Sequence, residues 1–274
     1  RCDLLLALHA RRSAASVAAF ADRRPGAPII LALTGTDVYG DIRTDPSAQR
    51  SLELADRYVV LQRLAADELP GHLRSRCRVI YQSATCPCRP TSPTRRPSRS
   101  FQVVVLANLR SVKDPLRTAA AVRRLPSGSA VRVIHLGGAL DESEAQAARA
   151  EMAENPRYKW VGELARWKAL RVLARSQLCS LTSRAEGGAN VVSEAIACAV
   201  PLVSSRIPGS VGLLGTEYPG YFPVGDTDAL AALIGEAERS PDFLARLEQD
   251  CVSLRQQFTP ERELADWAHL LDSL

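Results

Sequence analysis

QLCSLTSRAEGGANVVSEAIACAVPLVSS, residues 177–205, reads as a strand, a glycine turn, a helix and a second strand. Its two ends are short apolar runs of the kind buried in parallel sheets, and the stretch between them has the length of a crossover helix. Outward from this unit the same alternation covers the chain. Strands are expected at DLLLALH (3–9), PIILALT (28–34), RYVVL (57–61) and RVIY (78–81), then at FQVVVLA (101–107), VRVIHL (131–136) and YKWV (158–161), with amphipathic helical stretches between them. The fold class is therefore α/β. CPCRPTSPTRRPSRS (86–100) has no apolar period and is rich in Pro, Ser and Arg, the composition of a linker. The expected organisation is a Rossmann-like domain over residues 1–98, a second over 99–255, and a closing helix over 256–274. That helix is announced by a Thr259 cap, Pro260 at its first position, and Glu261 and Glu263 in its first turn. Residue 1 is Arg and residues 2–8 already read as a buried strand, so the first domain is expected to lack its first unit.

With 274 residues, 46% of them hydrophobic, the chain can bury two cores. The net charge of +5 comes from interleaved charges, without a basic run set among aromatics. That points to an anionic small molecule and not to nucleic acid. No apolar run reaches the ~18 to 20 residues of a membrane-spanning helix. The seven cysteines are odd in number and scattered, as reduced thiols of a cytoplasmic protein would be.

The chemistry concentrates in EGGANVVSE, residues 186–194. Gly187 and Gly188 allow a tight turn, and the amides around Gly188, Ala189, Asn190 and Val191 then emerge from a helix N-terminus, where a diphosphate is stabilised. Glu186 before the turn and Glu194 one helical turn after Asn190 can each accept hydrogen bonds from a polyol or a vicinal diol. Arg110 and Lys113 in LANLRSVKDP follow a strand, where they would face a cleft at the sheet's C-terminal edge and balance a leaving nucleotide without a metal. Gly137, after VRVIHL, can let backbone approach the ligand, whereas His135 inside that run reads as a core histidine. In the first domain His9, Arg11 and Arg12 end one strand, and Thr36 and Asp37 end the next, so both groups can meet an acceptor. Arg206 joins them as a candidate anion ligand. No histidine–carboxylate pair stands out as a base. Asp226-Thr227-Asp228 spells a metal-binding Asp-x-Asp, but it precedes ALAALIGEAE and reads as a helix cap. Cys86 and Cys88 lack further ligands at metal spacing.

EGGANVVSE, followed in order by VPLVSSRIPGSVGLLG and GYFPVGDTDALA, resembles the donor motif of family 4 glycosyltransferases of the GT-B fold. The resemblance covers most of the chain after residue 101. It implies two Rossmann-like domains facing a cleft, with the last helix closing back on the first domain. It also implies a UDP-sugar donor as co-substrate, no metal or other cofactor, and hexosyl transfer in which His9, Arg110, Lys113 and Glu186 are catalytic. Lys113 matches the family's lysine; the family's arginine position is Asn108 here, so Arg110 is expected to replace it. LHARRSA, LTGTDVYGD, LRSVKDP and NPRYKWVGE together resemble a narrower group, the selenosugar synthases of selenoneine biosynthesis, which implies selenophosphate as acceptor. Other classes with a similar motif are transferases to a sugar or lipid hydroxyl, nucleotide-sugar epimerases, and non-catalytic nucleotide-sugar binding proteins.

Overall fold

A computed structural model describes residues 2–87 and 100–274, with the side chain of Thr36 left out. The proposed linker's residues 88–99, and with them Cys88, lie outside the described residues. Strands β1 (Leu5–Leu8), β2 (Ile29–Leu33), β3 (Arg57–Val60) and β4 (Cys77–Val79) form a parallel sheet in that order. β2 is buried along its whole length, which explains its unbroken apolar run. Helices α1 (Ala14–Arg23), α2 (Asp41–Thr44) and α3 (Pro46–Leu54) belong to this sheet. α3 starts where Asp45 accepts the amides of Ser47 and Ala48, with Pro46 in the first turn.

The second sheet holds β5 (Phe101–Leu106), β6 (Val131–Leu136), β7 (Tyr158–Gly162), β8 (Leu178–Leu181), β9 (Leu202–Ser205) and β10 (Tyr221–Phe222). All its pairings are parallel, in the order β10-β9-β8-β5-β6-β7. Its helices are α4 (Arg117–Arg123), α5 (Glu142–Glu154), α6 (Arg166–Leu173), α7 (Asn190–Ala197), α8 (Pro208–Leu214), α9 (Thr227–Arg239) and α10 (Pro241–Ser253). The two-residue β10 lies in GYFPVGDTDALA, which reads in the sequence only as a turn. The chain leaves β5 on one side toward β6 and β7, then crosses back to build β8 against β5's other edge. This reversal opens a crevice between the C-terminal ends of β5 and β8, where open parallel sheets place their ligands.

The last helix, α11 (Pro260–Asp272), returns to the first sheet. Its Leu270 is buried with Ile30, Ala32, Val59 and Ile80, and Trp267 packs against the same cluster. Thr259 caps it by accepting the amide of Arg262, and Glu263 accepts the Ser83 amide at 2.9 Å. Two Rossmann-like domains closed by a returning helix are thus the arrangement expected from the motif.

Candidate functional site

The loop after β5 is held from beneath by a buried histidine. His135 is fully buried, with Nε2 2.8 Å from the Ala107 carbonyl and Nδ1 2.8 Å from the Tyr158 hydroxyl. Burial lowers its pKa to about 4, so it stays neutral, as the sequence reading of a core histidine requires. Gly137 sits against the same loop with φ +154°, and a Cβ there would lie 1.9 Å from the Ala107 oxygen, so no side chain fits. Trp160 Nε1 donates to the Gly137 carbonyl at 2.8 Å, and Asn108 Oδ1 accepts the Gly138 amide at 3.0 Å. Farther along, the Thr182 hydroxyl lies 3.0 and 2.9 Å from the carbonyls of Lys113 and Asp114. The Asp114 carboxylate pairs with Arg117 and Arg184. Lys113 is therefore presented on a turn braced from β8 and α4.

Lys113 Nζ pairs with Glu186 Oε1, and the Ser183 hydroxyl donates to the same oxygen at 2.6 Å. Glu186 is largely buried, its side chain 11% exposed. Glu194 is the one acidic residue of α7, whose other side chains are mostly buried in the core. Its carboxylate faces a cavity of about 310 Å³ lined also by Asn108, Arg110, Lys113, Gly137, Glu163 and Arg166. Burial raises the Glu194 pKa, and the Arg166 guanidinium, 3.1 Å away through Nε, pulls it back down. Arg110 lines the cavity with no ion-pair partner among the described residues. The structure thus gathers Arg110, Lys113, Gly137 and Glu194 around one cavity at the C-terminal ends of β5, β6 and β7, with Glu186 outside its lining but bonded to Lys113.

The glycine turn faces elsewhere. Gly188, Ala189 and Asn190 line a much narrower space with Leu61, Gln82 and Phe258, between the domains. Gly187 abuts the first domain: a Cβ there would lie 2.8 Å from the Gly35 N and Cα. Val191 is buried in the second core. Among the acceptor-side candidates, His9 is buried with φ +71°, its Nδ1 3.7 Å from Asp37 and its Nε2 3.8 Å from Asp41. Where no histidine–carboxylate pair stands out in the sequence, the fold brings His9 to two carboxylates, because the turn LTGTDVYGD folds both back onto the end of β1. Asp37 is fully buried and accepts the amides of Ala10 and Gly35 at 2.9 and 2.8 Å. Arg11 pairs with Asp41 at 3.0 Å. Arg12 is exposed, and Thr36 lies in the turn that carries Asp37. Arg206 bonds the Thr216 carbonyl and stacks 5.2 Å over the Tyr221 ring. None of these first-domain residues, nor Arg206, lines the 310 Å³ cavity.

Asp226 caps α9 by accepting the Ala229 amide, and Asp228 pairs with Arg124. Among the described residues no three His, Cys, Asp or Glu side chains are grouped to hold a metal. A larger hollow of about 590 Å³, between α4 and α9, is lined by Asp228 and Arg124 but by none of the residues of EGGANVVSE or LANLRSVKDP. Sequence reasoning missed Arg166, Ser183 and Asp41. Arg166 had a usable signal, since it opens a helix directly after a strand end, in YKWVGELAR.

Residues 92–251 match the family described as Glycosyl transferases group 1. No curated protein matches the chain. Among solved structures the fold is similar to Anabaena Alr3699/HepE in complex with UDP and glucose, with a TM-score of 0.83 at 20% identity over 99% of this chain and 78% of that one. Sucrose-phosphate synthase from Thermosynechococcus elongatus follows at TM-score 0.77 and 17% identity, over 99% and 73% of the two chains. The UDP-forming α,α-trehalose-phosphate synthase from Burkholderia vietnamiensis gives 0.78 and 11%, over 98% and 72%. At these identities the likeness is one of fold.

Proposed function

The chain belongs to the glycosyl transferases group 1 family, and we propose that it transfers a hexosyl group from a UDP-sugar without a metal ion. The observation that carries this reading is the shared cavity of Arg110, Lys113 and Glu194 at the C-terminal edge of the second sheet. Glu194 presents a carboxylate to the ribose diol. Arg110 and Lys113 bring two positive charges to the diphosphate, whose negative charge grows as the C1–O bond of the sugar breaks. Glu186 accepts from the sugar hydroxyls, exchanging Lys113 for the donor. The Alr3699/HepE structure, which shares the fold, contains UDP and glucose and so supports this choice of donor.

For the acceptor we propose selenophosphate, on the resemblance of LHARRSA, LTGTDVYGD and LRSVKDP to selenosugar synthases. Its selenium is an anionic nucleophile that needs no base, so the C1–Se bond forms as UDP leaves. Arg12 and Arg206, with Arg11 exchanging Asp41 for the acceptor, offset the added charge. A second reading, transfer to a sugar or lipid hydroxyl, is favoured by one observation: His9 between Asp37 and Asp41 has the composition of a general base and its orienting carboxylates. We place the reaction in the cytoplasm, where the buried thiols Cys77, Cys179 and Cys251 stay reduced. Among the described residues no helix is long and apolar enough to cross a membrane.

The test is mass spectrometry of products from UDP-hexoses with selenophosphate or with alcohol acceptors, in EDTA. Acceptor-dependent UDP release with a selenium-bearing hexose supports the proposal. Products with alcohols alone support the second reading. Loss of all turnover in EDTA, restored by a divalent ion, refutes metal independence, and donor binding with no turnover on any acceptor refutes transfer itself.

A further inference from the structure

We propose that Arg166 is a positioning residue for Glu194, holding its carboxylate in the orientation a vicinal diol requires and thereby setting the site's preference for ribonucleotides over 2′-deoxyribonucleotides. This rests on the reading of the cavity as the nucleotide seat. Arg166 is the first residue of α6 and Glu194 lies in α7, so the pair ties two helices across the mouth of the cavity that both residues line. Arg166 Nε sits 3.1 Å from Oε1, and neither Oε2 nor the Nη groups of Arg166 have a protein partner among the described residues. One carboxylate oxygen is thus fixed by Arg166, and the other has no protein partner among the described residues to compete with a ligand.

The two partners are unequal. The Arg166 side chain is 67% exposed and that of Glu194 only 15%. An ion pair with so exposed a partner stabilises a fold little. Its effect falls on the desolvated member: burial drives the Glu194 carboxyl toward its neutral form, and Arg166 opposes that shift. A neutral carboxyl would donate where the diol must donate, and would accept one of its hydroxyls poorly. Glu163 lines the same cavity and offers Arg166 a competing carboxylate, yet the guanidinium lies on Glu194. A single carboxylate oxygen can accept both hydroxyls of a diol through its two lone pairs, but only in a defined rotamer, and an arginine on the other oxygen supplies it.

The experiment is calorimetric titration of UDP and of 2′-deoxy-UDP into the wild type, Arg166→Ala, Arg166→Lys and Glu194→Ala, with thermal melts of each as a check on folding. The wild type is expected to prefer UDP by about tenfold, the worth of a hydrogen bond to a charged group. Arg166→Ala should lose about tenfold on UDP and little on the deoxy ligand, collapsing the ratio, with Arg166→Lys between. A merely structural or long-range electrostatic role would weaken both ligands by the same factor, and that result overturns the inference, as does an unchanged ratio. Glu194→Ala separates the two layers. If it collapses the ratio and Arg166→Ala does not, the inference alone fails; if it leaves the ratio unchanged, the nucleotide seat itself is misplaced. Should Arg166→Ala melt far below the wild type, Arg166→Lys carries the same comparison.

Discussion

At the C-terminal edge of the first sheet His9 lies between Asp37 and Asp41, while at the edge of the second Lys113 pairs with Glu186 and Arg110 faces a cavity with no ion-pair partner among the described residues. Both clusters come from loops that follow parallel strands, and both are rich in charge. In the first, the charge is consumed by the fold. Asp37 is fully buried on two backbone amides, and Asp41 takes Arg11. In the second, the loops are held by neutral His135, Trp160 and Thr182 and by Asp114 between Arg117 and Arg184, which leaves Arg110, Lys113, Glu186 and Glu194 for a ligand. The difference is one of which groups hold the loops, and it predicts opposite responses to substitution.

The largest effect is expected at Lys113. Lys113→Ala removes a cation from the site of developing diphosphate charge and should lower turnover by about 10² to 10³, with only a modest fall in melting temperature, because the Ser183 hydroxyl still holds the Glu186 carboxylate that Lys113 leaves. Steady-state kinetics beside a thermal melt checks this. At the first cluster the order should invert. Asp37→Ala leaves the buried amide of Ala10 and the part-buried amide of Gly35 without an acceptor, and urea unfolding should show a loss of about 3 kcal/mol. If Asp37→Ala instead abolished turnover with stability intact, the contrast between the clusters would break, and the His9 group would become the catalytic base of the hydroxyl reading.

A smaller effect sharpens the role of the neutral braces. The pKa of His135 is about 4 in the fold against 6.5 in its absence. Between these values the unfolded chain binds the proton and the folded one does not, so stability is complete above pH 6.5 and declines as pH falls toward 4. From pH 7 to pH 5 this one group should remove about 2 kcal/mol. Urea unfolding of His135→Gln at the two pH values should show a drop smaller than the wild type's by that amount. An equal drop in both proteins would mean that His135 is not the neutral support described.

Much of this was legible beforehand. Apolar runs such as PIILALT and FQVVVLA lie within two residues of the observed strands, because buried parallel strands must be apolar on both faces. Asp226, Thr259 and Pro260 stood out as helix starts because capping is local chemistry. β10 was not legible: two residues have no period, and the strand exists because it pairs with β9. At the site, Glu194, Arg110 and Lys113 could be proposed from strand ends and helix spacing. Strand ends also put His9 and Asp37 on one sheet edge, but the contact of His9 with Asp41 and the Arg166–Glu194 pair were not legible, because each depends on the packing of separate elements. The glycine turn was read as a phosphate seat, yet its close neighbours Gly35 and Leu61 come from the other domain, which no local pattern announces.

The central claim, that the cavity of Glu194, Arg110 and Lys113 is a UDP-sugar donor seat, is tested most directly by titrating UDP calorimetrically into the 274-residue chain and its Glu194→Ala variant in the presence of EDTA. The account predicts one UDP bound per chain without a divalent ion, with affinity at least about tenfold weaker in the variant, as expected for losing hydrogen bonds to a charged acceptor. Equal affinity in the two proteins, or binding that appears only when a divalent ion is restored, would contradict it.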